Sequence, residues 1–177
     1  SSDVCSSDLY VNVYLGTYTA RTGQIVNRWQ TLYDGVVRAN TVIQNIASVE
    51  TTDDIKNQYI AEAKFMRALY YSTLMNFFGG VPLYDETLIV DKDFNNMMEP
   101  RATLEATRNF ILADLDAAIT SLPVKWDNSN YGRATKGAAY ALKGKVLLFD
   151  KQYAAAAANF EEIVNDPTGK GDRKSVV

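Results

Sequence analysis

The 177-residue sequence predicts an all-α fold of paired helices. Apolar residues recur at three- and four-residue steps over several long stretches, and Thr or Asp at their starts and Gly or Pro at their ends punctuate them. Small residues fall where two helices of a pair would cross, as in tetratricopeptide-like repeats.

Taken in order, Tyr10 to Tyr18 is ambiguous, because Val11, Val13 and Leu15 alternate as in a strand. From about Val26 to Ser48, Trp29, Leu32, Tyr33, Val36, Val37, Ala39, Val42, Ile43 and Ile46 build one amphipathic helix. Thr51, Thr52, Asp53 and Asp54 then offer side-chain oxygens to orphan amides and negative charge to a positive helix end. The helix they open carries Ile55, Tyr59, Phe65, Met66, Leu69, Tyr70, Leu74 and Phe77 on a broad apolar face, and is expected to pack antiparallel to the first. Gly79 and Gly80 close it, and Pro82 forbids its continuation. Gly79 to Pro100 reads as a long surface excursion, with an apolar run from Leu83 to Val90 and a polar one from Asp91 to Glu99. Thr103 and Glu105 start a third helix whose stripe runs from Leu104 through Ile111, Leu112, Leu115, Ala118 and Ile119 to Leu122, before Pro123. Trp126 to Asn130 is loop-like; Thr135 caps a helix through about Phe149, and another spans about Tyr153 to Val164. In this last pair Gly144, Tyr153, Ala156 and Phe160 match tetratricopeptide spacings, whereas Lys143 and Lys151 stand where Leu and Gly are usual.

Composition excludes several functions. A net charge of -3 provides no basic field for phosphate backbones, which argues against nucleic acid as a partner. No apolar run approaches the roughly 20 residues that span a bilayer. With His at 0, there is no imidazole base, no Ser-His or Cys-His nucleophile and no His metal ligand, and the one Cys excludes a thiolate zinc site or an internal disulfide. The acidic pairs Asp53/Asp54, Asp114/Asp116 and Glu161/Glu162 are helix neighbours that face different ways, unlike the opposed acids of a glycosidase. Gly79-Gly80 ends a helix, where the negative dipole repels phosphate. No catalytic residue, metal or cofactor is therefore expected. Glu62 and Arg67 are five residues apart, poorly placed to pair with each other and better placed to pair with neighbouring helices.

The stretch Glu62-Ala-Lys-Phe-Met-Arg67-Ala-Leu-Tyr-Tyr71, followed by Gly79-Gly80-Val81-Pro82-Leu83, resembles the central motif of the SusD/RagB family of outer-membrane glycan-binding lipoproteins. Trp29-Gln-Thr-Leu-Tyr33-Asp-Gly35-Val-Val-Arg38-Ala39-Asn40-Thr-Val-Ile43 and Tyr131-Gly132-Arg133-Ala134-Thr135-Lys136-Gly137-Ala138-Ala139 resemble the same family. Pro100-Arg101-Ala102-Thr103 and Asp114-Leu-Asp-Ala-Ala-Ile119 fall in order between them. The resemblance covers roughly Trp29 to Val164 and implies part of a longer protein. It implies a frayed helix or extended lead-in before Tyr18 and a tetratricopeptide-like scaffold. It also implies non-catalytic capture of oligosaccharide at the cell outer membrane, a lipid anchor absent from this chain, and delivery to a SusC-like TonB-dependent transporter. A helical-repeat interaction scaffold without a sugar site is the alternative.

Pyranose rings stack on aromatic faces while their hydroxyls bond to polar side chains, so the Tyr and Trp residues are the places to look for such a site. Trp29, Tyr33, Tyr59 and Tyr70 lie at core spacing. Trp126 stands in a polar loop beside Asp127, Asn128 and Asn130, and the loop with Tyr18, Arg21, Asn27 and Arg28 leads into Trp29. Arg28, Trp29, Trp126 and Asn128 are the candidate glycan-binding residues.

Residues 1–9 and 171–177 are expected to be non-native tails around a helical domain at 10–170. The adapter-like bases AGT TCA GAC GTG TGC TCT TCC GAT CT encode Ser1 to Leu9, and GGA GAT CGG AAG AGC GTC GTG encode Gly171 to Val177. Cys5 would then be no lipid-bearing cysteine, and a signal peptide would lie outside the chain. Sequencing the source DNA is expected to return these codons at both flanks; different codons would show the tails to be native.

Overall fold

The computed structural model describes residues 14–87 and 99–165. Among these residues five α-helices follow one another: α1 Gly23–Asn45, α2 Asp53–Phe78, α3 Leu104–Ser121, α4 Lys136–Phe149 and α5 Tyr153–Val164. Short 3-10 turns lie at Ile46–Ser48 and Asn128–Asn130. The first helix begins at Gly23, three residues before its periodicity predicts, and the expected tails and the Asp91 to Met98 run lie outside the described residues. Each helix packs on the next in sequence. Trp29, early in α1, meets Phe78 at the end of α2 at 5.0 Å between ring centroids, so this pair is antiparallel.

Threonine starts three of the helices. The hydroxyl oxygens of Thr52, Thr103 and Thr135 accept bonds from the amides of Ile55, Ala106 and Ala138 at 3.5, 3.0 and 3.2 Å. Each removes one orphan donor from a helix end. At the far end of α2, Gly79 takes φ 74°, a conformation glycine adopts without steric cost, while its amide still donates to the Met75 carbonyl at 2.9 Å. Beside it, a Cβ on Gly80 would lie 2.1 Å from the Ala102 carbonyl oxygen, so only glycine lets the two chain segments approach. Helix α4 ends differently. Lys151 has φ 63°, its amide donates to Leu148, and the Gln152 amide donates to Leu147, both at 3.0 Å. This is the double bond of a Schellman cap with lysine in the left-handed position where the repeat pattern has glycine.

The core is a spine of Val36 from α1, Tyr71 and Leu74 from α2, Val81, and Ile111 and Leu115 from α3, all fully buried. Glycine sets the close crossings. A Cβ on Gly35 would meet the Tyr70 ring at 2.4 Å, and one on Gly144 would meet Phe160 at 2.6 Å. Ala156 is buried as the repeat spacing implies, whereas Tyr153 is exposed. The α2 stripe is covered only in its middle: Ile55, Tyr59 and Phe77 remain exposed because they stand near the ends of this long helix.

The excursion after α2 corrects the reading of a surface loop. Val81 and Tyr84 are buried. Side chains of α1 and α2 bond to the backbone of this extended segment: Tyr33 Oη donates to the Pro82 carbonyl at 2.7 Å, and Asn40 Nδ2 donates to the carbonyls of Tyr84 and Asp85 at 3.1 and 2.9 Å. Tyr71 Oη accepts from the Tyr84 amide at 2.7 Å and donates to its carbonyl at 3.2 Å. Burial raises the Tyr71 pKa, keeping the phenol neutral and able to do both. Residues 88–98 lie outside the described part.

One buried guanidinium joins these parts. Arg67 of α2 sends Nε and Nη2 to the two Asp114 oxygens of α3, both at 2.7 Å, and Nη1 to Asn40 Oδ1 of α1 at 2.7 Å and Glu86 Oε2 at 2.6 Å. The side chains of Arg67 and Asp114 are only 3% and 6% exposed. Burial alone would lower the Arg67 pKa, but the bonds and charges of Asp114 and then Glu86 together outweigh it and hold the arginine charged. Burial pushes the Asp114 carboxyl up, against the pull of Arg67. Since both of its oxygens accept, the geometry selects the ionised form. For Glu86 burial is the largest single influence and acts upward, but the Arg67 bond, the backbone bond and the charges of Arg67 and Lys64 together outweigh it and the net shift is downward.

Arg67→Ala is expected to cost about 3–5 kcal/mol, because it strands the Asp114 charge. Arg67→Lys should fail nearly as badly, since an ammonium lacks the fork that meets three partners. Urea unfolding measures both. Lys151→Gly should raise stability by roughly 0.5 kcal/mol by removing left-handed strain, whereas Lys151→Val should lower it by more than about 1 kcal/mol.

Candidate functional site

Where α1 begins and α2 ends, an open cleft of about 660 Å³ lies between the incoming chain and the Gly79 turn. Its lining includes Tyr18, Ile25, Trp29, Phe77, Phe78 and Arg101. Helix periodicity places Trp29 on the inner face of α1, and the glycine stop leaves Phe77 and Phe78 at the last turn of α2. The Trp29 ring tilts against Tyr33 at 4.9 Å and meets Phe78 edge-on. Burial raises the Tyr33 pKa, so its hydroxyl stays neutral beneath the cleft. Tyr18 and Phe77, exposed by 54% and 62%, form the rim.

Arg101 closes the back of this cleft. Its Nη1 donates to the carbonyls of Phe78 and Gly80 at 2.8 and 2.9 Å, meeting the negative end of α2 where the helix leaves oxygens unbonded. Its guanidinium also lies 5.6 Å from the centre of the Trp29 ring. Arg28, exposed on α1, stands 5.2 Å from the Phe77 ring. Two candidates thus belong here: Trp29 in the lining and Arg28 beside the rim.

The other two candidates lie elsewhere. Trp126 is half-buried, and its indole Nε1 donates to the Ala134 carbonyl at 2.7 Å. The Arg133 guanidinium stacks 4.0 Å from the Trp126 ring and 5.2 Å from that of Tyr59. Arg133 also donates to both Glu62 oxygens, at 3.1 and 2.6 Å; the Glu62 bond, ahead of all other causes, raises its pKa. Asn128 is exposed in the 3-10 turn that Asp127 caps by accepting from the Asn130 amide at 2.9 Å. Bonds from Ser129 and then Asn130 hold the Asp127 carboxyl below its ordinary pKa.

Trp126 packs by way of Arg133 near Tyr59, and Trp29 packs against Phe78. At 1.5 Å per residue these points on α2 are about 28 Å apart, so the four candidates form two separate surfaces. The Trp29 side has a concave, mostly apolar floor of about 660 Å³, and a smaller hollow of about 280 Å³ lies beside Tyr59 and Glu62. Sequence reasoning gave no site role to Phe77, Phe78 or Arg101. The helix stop marks where the phenylalanines emerge, but nothing along the chain says that Arg101 folds back over that end. Among the described residues no group of three or more acidic or Cys side chains is placed to hold a metal.

A family described as starch-binding and associating with the outer membrane matches residues 3–148. A SusD-like protein of Bacteroides ovatus is 32% identical over 134 residues, covering 73% of this chain and 23% of that protein. A SusD-like protein from Bacteroides fragilis superposes with a TM-score of 0.74 at 32% identity, covering 82% of this chain and 28% of that one. A laminarin binding SusD-like protein superposes at 0.71 with 33% identity, covering 77% and 29%. The chain therefore spans less than a third of the length of each relative.

Proposed function

This chain belongs to the SusD-like family, and on that premise we propose that it forms the helical scaffold of an outer-membrane oligosaccharide-capture protein. The protein would be lipid-anchored and would deliver bound glycan to a SusC-like TonB-dependent transporter. The observation that carries the sugar-binding part is the open cleft over Trp29, whose aromatic floor and rim suit the C–H faces of pyranose rings. Capture there needs no bond cleavage. The buried acid Asp114 is committed to Arg67 and Asp116 to Lys143, so neither faces the cleft as an acid or base. Among the described residues no helix is long and apolar enough to cross a membrane.

A second reading, a helical interaction scaffold, has one observation in its favour. Phe149, Tyr153 and Val164 are exposed by 67%, 63% and 78% on the α4–α5 pair, an apolar surface fit for a protein partner.

Calorimetric titration with neutral oligosaccharides separates the two. Trp29→Ala is expected to weaken glycan binding about tenfold or more while far-UV circular dichroism stays helical, and Trp126→Ala to change it less than about threefold. Equal losses from both would move the site off the cleft. Binding of no oligosaccharide by the parent chain would favour the scaffold.

A further inference from the structure

The geometry points to an anionic oligosaccharide, bearing a carboxylate or a sulfate ester, as the ligand class of the Trp29 cleft. This rests on the sugar-binding reading above and goes beyond it by naming the charge of the ligand.

Arg67, Arg108 and Arg133 each hold a carboxylate: Asp114, Asp150 and Glu62. Arg28 and Arg101 instead lie over Phe77 and Trp29. Among the described residues no carboxylate lies within ion-pair distance of either. Glu99 shares the lining of the cleft but stands outside that distance. In a chain of net charge -3 this is a local excess of positive charge at an aromatic cleft.

Arg101 is also oriented for use. Both carbonyl bonds fall on Nη1, which fixes the guanidinium plane. The Nε–H and Nη2–H edge, the pair that meets a carboxylate or sulfate with two parallel bonds, has no protein acceptor among the described residues. A sugar ring over Trp29 would bring an equatorial oxyanion toward that edge, with Arg28 adding attraction from the rim. Neutral glycans would gain the stack and leave the fork to water.

The test titrates the 177-residue chain with three galacto-oligosaccharides of equal length: uncharged, oligogalacturonate and sulfate-substituted. At about 20 mM salt at least one anionic form is expected to bind about tenfold tighter than the neutral one, and the advantage should shrink at about 300 mM. Which anion wins tells carboxylate from sulfate. Arg28→Gln and Arg101→Gln should each reduce the anionic-to-neutral affinity ratio severalfold. Should Arg101→Gln disturb the α2 end, Arg28→Gln and the salt dependence still decide. Equal or tighter neutral binding would overturn the anionic class and leave the sugar reading standing, whereas binding of none of the three would overturn both.

Discussion

A guanidinium taken out of water must find acceptors on every side, and Arg67 finds them in three different parts of the chain. Asn40 stands on α1, Asp114 on α3 and Glu86 on the segment after α2, while Arg67 itself sits in the middle of α2. An apolar contact tolerates sliding; a fork meeting two carboxylate oxygens does not. The cluster therefore fixes the register of α1, α2 and α3, and it does so at the level where Val36, Tyr71 and Ile111 fill the core. Its stability contribution over an apolar replacement need not be large, since desolvation opposes the pairing. What it adds is a single answer to how three helices stack.

The same cluster explains why the chain after α2 runs inward. Among the described residues no strand pairs with Val81 to Asp85, and several of its backbone groups are met by Tyr33, Asn40 and Tyr71. Glu86 then ties the segment to Arg67. Because Pro82 is held against α1, the Gly79 turn and the Arg101 side chain come to lie beside Trp29, and the cleft is the space left between them and the incoming residues around Tyr18. The candidate site is thus a consequence of buried polar bonds some distance away.

The motif residues divide accordingly. Glu62, Arg67, Asn40, Asp114 and Arg133, which look like chemistry in a list of polar positions, are spent on joining helices. Their sequence spacing carried part of this: Glu62 and Arg67 are poorly placed to satisfy each other on one helix, so partners on other helices were to be expected. Trp126 shows the opposite case. Its polar neighbours suggest an open sugar platform, but the fold puts Arg133 against its ring and Ala134 on its indole nitrogen.

Local rules were enough to place the helices. Threonine caps, apolar periodicity and the Gly-Pro stop are interactions within a few residues, so α2, α3 and α4 are legible along the chain, and so is the unusual position of Lys151 at a helix end. What the tertiary structure alone decided were matters of long separation. These include the inward path of Val81 and Tyr84, the meeting of Arg67 with Asp114 across 47 positions, the return of Arg101 over the end of α2, and the parting of Trp29 from Trp126 onto different surfaces. A side chain's partners in a packed interior depend on which helices become neighbours, and periodicity on one helix shows which face is buried without showing what buries it.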